Sequence, residues 1–61
     1  MEDLKYTVLV AANYSNARHL FETLAQAKRF AAAQRRQRIG VYVVHSDDPE
    51  EHEIPGTEYR P

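Results

Sequence analysis

The chain has no cysteine and no tryptophan, carries only two glycines, and contains no long apolar run. Without cysteine there are no disulfides and no thiolate metal sites. Gly40 and Gly56 are the only glycines, and neither opens a helix-forming segment, so a phosphate-cradling glycine loop is excluded. A bilayer span needs roughly 20 apolar residues in succession, and no stretch approaches that. Met1-Glu2-Asp3 is also not the start expected of a secretory signal, so the sequence predicts a cytoplasmic protein with no membrane partner.

An excess of one charge is also lacking. Eight basic and nine acidic residues leave a formal net charge of -1, and this near-balance hides a segregation. Lys28, Arg29, Arg35, Arg36 and Arg38 follow one another without an intervening carboxylate. Asp47, Asp48, Glu50, Glu51, Glu53 and Glu58 crowd the last quarter. The sequence therefore reads as one small domain, 1–61, whose residues 46–61 form an acidic, partly flexible C-terminal segment. A domain of this size buries only about 60% of its unfolded surface. With disulfides excluded, oligomerisation is the expected supplement, and the chain is predicted to be a homodimer.

What is present points to an α+β fold. Leu4 to Ala12 is the clearest strand, with Leu4, Tyr6, Val8, Val10 and Ala12 on one face and Lys5, Thr7, Leu9 and Ala11 on the other. Asn13 to Asn16 is turn chemistry. From there Ala17, Leu20, Leu24, Ala27 and Ala31 recur at spacings of three and four, which predicts one long amphipathic helix over about 16–38. Ser15 would cap it, and Gly40 would close it in a left-handed conformation. The alternative arrangement is ββαβ. In it, residues 17–22 form a second strand, and a shorter helix starts at Thr23, with Gln26 completing a capping box. Val41 to His45 is the last strong strand. In the long-helix arrangement, β-α-β(-β), it runs parallel to the first. Glu51 to Ile54 reads as a short charged edge strand, and Pro55-Gly56 as a type II turn.

Both main strands are apolar on two faces, yet one helix can cover only one face of a sheet. Leu9, Tyr42 and Val44, together with Tyr59, are therefore candidate interface residues. The acidic group Asp47, Asp48, Glu50, Glu51 and Glu53 is the candidate contact for a protein partner, since complementary charge speeds association. Lys28, Arg29, Arg35, Arg36 and Arg38 are candidate nucleic-acid contacts through phosphates. His45, Asp47, Asp48, Glu50 and His52 combine imidazole with carboxylate, but their spacing matches no metal loop. His45-Ser46-Asp47 holds the residue types of a hydrolase triad at neighbouring positions, which rarely meet in triad geometry. No catalytic, cofactor-binding or metal residue is assigned. The expected function is that of a small non-enzymatic protein–protein interaction module, a regulator or inhibitor of the phage or mobile-element type. A dimeric nucleic-acid-binding protein is the alternative.

Overall fold

The computed structural model describes residues 4–12, 15–37 and 40–58, with only the backbone of Ala12. Its elements run β1 (Tyr6–Ala12), β2 (Ser15–Phe21), α1 (Leu24–Arg35) and β3 (Gly40–His45). They form a single three-stranded sheet in the order β2-β1-β3, with both outer strands antiparallel to β1. One helix packs on the sheet. The fold is α+β, and its order is β-β-α-β.

The long helix over 16–38 is therefore corrected. The helix begins after Thr23, and residues 15–21 are a strand. Two physical causes decide this. Thr23 has extended backbone (φ -125°, ψ 153°) and its hydroxyl accepts from the Gln26 amide at 3.2 Å. The Gln26 side chain in turn accepts from the amides of Thr23 and Glu22, completing the capping box. The second cause is non-local: β1 takes every backbone pair from Tyr6↔Phe21 to Ala12↔Ser15, which overrides a weak helical pattern. A helix of about 23 residues would also have run about 35 Å, well past the strands beneath it. Ser15 opens β2 and caps nothing. The predicted parallel relation changes too. β1 and β3 are antiparallel, and the parallel pair joined by the helix is β2 and β3, which flank β1.

The core lies between α1 and one sheet face. Val8 and Val10 of β1, Val41 and Val43 of β3, and Ala27 and Ala31 of α1 are buried together with Ile54. The two alanines carry little side chain, so the helix can lie close to the valine rows. Tyr6, Phe21, Leu24 and Phe30 close the margins, with the Phe21 and Phe30 rings 5.2 Å apart.

Gly40 is not a left-handed helix terminator; it is the first residue of β3, opposite Ala11. A Cβ there would lie 2.8 Å from the Ala11 Cβ, so glycine is needed for close strand approach. Pro55-Gly56 does make the expected turn: Gly56 has φ +88°, and the Thr57 amide donates to the Ile54 carbonyl at 3.1 Å. The charged edge strand reduces to a single bridge, Val44↔Glu53, with the Ile54 amide bonded to the Val43 carbonyl. Thr57 is buried. Tyr59 to Pro61, the end of the segment expected to be partly flexible, lie outside the described residues.

Candidate interaction surface

The sheet face turned away from α1 follows from the register. Its rows are Leu20–Thr7–Val44, Arg18–Leu9–Tyr42 and Asn16–Ala11–Gly40. The first row is partly sealed. Thr7 and Val44 are buried, and the Thr7 and Ser46 hydroxyls share a hydrogen bond of 2.8 Å. The other two rows are open, as is the Leu20 end of the first. Leu20 is 52% exposed and Tyr42 46% exposed, and these are the large apolar side chains that the described residues leave outside. Tyr42 lines a groove of about 200 Å³ together with Leu9, Ala11 and Gly40, with Arg18 and Glu51 as its charged members, and Leu20 stands one row away from it. Of the candidate interface residues, Leu9 and Tyr42 line this groove, Val44 is on the same face but buried, and Tyr59 lies outside the described residues.

The segment Ser46–His52 folds over this face, and Asp48 organises it. Its carboxylate accepts from the Glu50 amide at 3.0 Å and the His52 amide at 2.9 Å. This fixes a tight loop in which Glu51 adopts φ 55°, a left-handed conformation uncommon outside glycine. Glu51 is thereby aimed across the sheet at Arg18, which it meets at 2.6 Å. That pair is largely exposed, so its own contribution is about 0.2–1 kcal/mol. Its main effect is to fix the charged rim of the groove. The His52 ring stands between two carboxylates, with Nδ1 3.3 Å from Asp48 and Nε2 3.2 Å from Glu50.

The backbone amides of His52 and then Glu50 hold the Asp48 pKa below its ordinary 3.8, helped by the His52 imidazole. Because the folded value is the lower one, the stabilisation is present above pH 3.8 and is lost as pH falls through the depressed value. Acid is therefore expected to loosen the Ser46–His52 loop before the core. An NMR titration of the Asp48 carboxyl should give a midpoint below 3.8. A midpoint at or above that value would contradict the assigned role.

The structure separates the acidic group that the sequence presents as one patch. Asp48 is committed to its loop, Glu51 to Arg18, and Glu53 stands 4.0 Å from Arg35, while Asp47 and Glu50 remain exposed. The basic group divides likewise. Lys28, Arg29 and Arg36 are exposed on α1 and its C-cap, and Arg38 lies outside the described residues. Arg35 turns inward and donates to the carbonyls of Val41 (3.0 Å) and Thr57 (2.8 Å). These long-range pairings are invisible to a reading of charge along the chain. His45 lies beside Tyr6, with ring centroids 5.6 Å apart, and His19 beside Phe30 at 4.6 Å. Among the described residues, no group of three or more histidine, aspartate or glutamate side chains is placed to hold a metal ion, and no helix is long and apolar enough to cross a membrane.

Comparison with protein-family models, with curated proteins and with solved structures gives no match.

Proposed function

We propose that this chain is a small non-enzymatic protein–protein interaction module. In this reading it is a cytoplasmic, homodimeric regulator or inhibitor that occludes a surface of a larger protein. The observation that carries the reading is the open sheet face, where Tyr42 stands exposed on a groove of about 200 Å³ and Leu20 stands exposed one row away. Exposed apolar area rimmed by polar groups is a common mark of a contact surface. Tyrosine and arginine are the residue types most often found at the energetic centres of interfaces. The groove suits an apolar side chain of the partner, with the Arg18–Glu51 pair at its rim setting orientation. Asp47 and Glu50 supply outward negative charge that steers the encounter.

The exposed Lys28, Arg29 and Arg36 are what favour nucleic-acid binding as the second reading. The internal bonds of Arg35 weigh against it, because they withdraw one of the charges from the basic line.

The test is affinity capture from cell extract with the wild-type chain and with the double variant Leu20→Glu, Tyr42→Glu as baits. Both side chains are about half exposed, so the variant is expected to fold. A protein retained by the wild type should be lost about tenfold or more with the variant, as for removal of anchoring contacts at an interface centre. Equal retention by both baits would contradict the reading.

A further inference from the structure

The two edges of the sheet are treated differently. Along the outer side of β3, the Ile54 amide bonds the Val43 carbonyl and the Arg35 guanidinium bonds the Val41 carbonyl. Along the outer side of β2, nothing pairs among the described residues. This strand is seven residues long, exposed from Ser15 to Leu20, and contains no proline. Edges of that kind attract further strands, and proteins usually shorten, charge, bulge or cover them.

The direction of its free backbone groups can be derived. The Lys5 carbonyl accepts from the Ser46 amide, on the β3 side of β1. Carbonyls and amides alternate sides along a strand. The odd-numbered residues of β1 therefore face β3, and the even-numbered ones face β2. The Ile54–Val43 bond confirms the alternation on β3. Because Val8 pairs with His19 and Val10 with Ala17, those β2 residues bond inward. Asn16, Arg18 and Leu20 therefore aim both N–H and C=O outward.

We propose that β2 pairs antiparallel with β2 of a second copy about a two-fold axis at Arg18, joining two three-stranded sheets into one of six. This rests on the homodimer reading above and specifies how the two copies meet. A two-fold interface requires that residue i face j while j faces i. Centring on Arg18 matches all three outward-facing residues with one another, Arg18 with Arg18 and Asn16 with Leu20. Centring on Ala17 or His19 sets one of the three opposite residue 14 or 22.

The side chains agree with that register. On the helix side, the small Ala17 falls opposite the large His19 of the second copy. On the open face, the two Arg18 side chains become neighbours, and each brings a Glu51 carboxylate held at 2.6 Å. Two like charges are thus replaced by an alternating set of two cations and two anions. With a net charge of -1 per chain, long-range repulsion between copies is small. The joined sheets would present both open faces, and so both grooves, on one side.

The absence of native cysteine makes cross-linking a clean test. Sedimentation of the wild-type chain across the micromolar to millimolar range should show a dimer. Arg18→Pro removes an outward amide that the monomer does not use, and should give a monomer with unchanged circular dichroism. Under mild oxidation, Arg18→Cys should cross-link roughly tenfold faster than the helix-surface control Lys28→Cys, because pairing raises the local thiol concentration. A Cα separation of about 5.5 Å in such a pair lies within the disulfide range. If Arg18→Pro fails to fold, the cross-linking ratio decides. A wild-type dimer with no preference for position 18 overturns the β2 pairing and leaves the homodimer standing. A wild-type monomer at every concentration overturns both.

Discussion

Replacing Arg35 by alanine is expected to destabilise the chain by about 2–3 kcal/mol, the range for losing hydrogen bonds to a charged donor and leaving their acceptors unpaired. The Arg35 guanidinium ties three separate parts of the chain together. It stands on the last turn of α1, bonds the Val41 carbonyl at the start of β3, and bonds the Thr57 carbonyl after the Pro55-Gly56 turn. It also stands 4.0 Å from the Glu53 carboxylate, longer than a hydrogen bond but close enough for attraction. Without it, two carbonyls lose their donor, and the segment that seats Ile54 in the core loses its anchor. A core this small rarely supplies more than about 3–5 kcal/mol in all, so the variant should be largely unfolded at moderate temperature. Both bonds leave one nitrogen, Nη2, so Arg35→Lys, whose ammonium also carries enough hydrogens for two carbonyls, should recover part of the loss, limited by its shorter reach. Urea denaturation followed by circular dichroism measures both variants. A loss below about 0.5 kcal/mol for Arg35→Ala, the scale of an ordinary surface substitution, would contradict this role.

Gly40 gives the second large effect, and its sign depends on a neighbour. Alanine normally outperforms glycine in a strand by about 0.5–1 kcal/mol. Here the added Cβ would sit 2.8 Å from the Ala11 Cβ, so β1 and β3 must separate at that end. Gly40→Ala is expected to cost about 1–3 kcal/mol, the usual penalty for overpacking, and Gly40→Val more. In an Ala11→Gly background the clash disappears, and Gly40→Ala should become neutral or stabilising. The double-mutant cycle therefore carries a definite coupling, and additive effects would show that the close approach is not what glycine serves at this position.

The chain's local chemistry was the legible part. The Thr23–Gln26 capping box, the Pro55-Gly56 turn and the two-sided apolarity of the main strands are each encoded within a few residues, and each is found in the structure. The strand 15–21 was not legible for a definite reason. As an edge strand it buries little on either face, so the alternation that marks a half-buried strand is missing. Ala17 and Leu20 also fall in phase with the true helical positions Leu24, Ala27 and Ala31. The stripe runs on past the cap, and only pairing with β1 breaks it. Gly40 was recognisable as a special position, but the close approach of Ala11 that requires it is a tertiary fact.

The candidate surface was legible to a similar degree. Leu9 and Tyr42 follow from strand periodicity and the presence of a single helix. Leu20 does not, because its spacing to Leu24 and Ala27 fits the helical stripe. The charged residues were the least readable. Arg18 and Glu51 meet across 33 positions of sequence, and Arg35 and Thr57 across 22. Acidic and basic runs that look like opposed patches are thus partly spent on holding the fold together.

The claim that this chain presents β2 as an open, pairing edge is tested most directly by amide hydrogen exchange, resolved residue by residue at low and high protein concentration. Ala17 and His19 should be protected at both, because they bond to β1. Asn16, Arg18 and Leu20 should exchange freely when dilute and become protected as concentration rises. Free exchange of those three at every concentration would contradict pairing through this edge. Protection of the three in dilute solution, with Ala17 and His19 unprotected, would contradict the register itself.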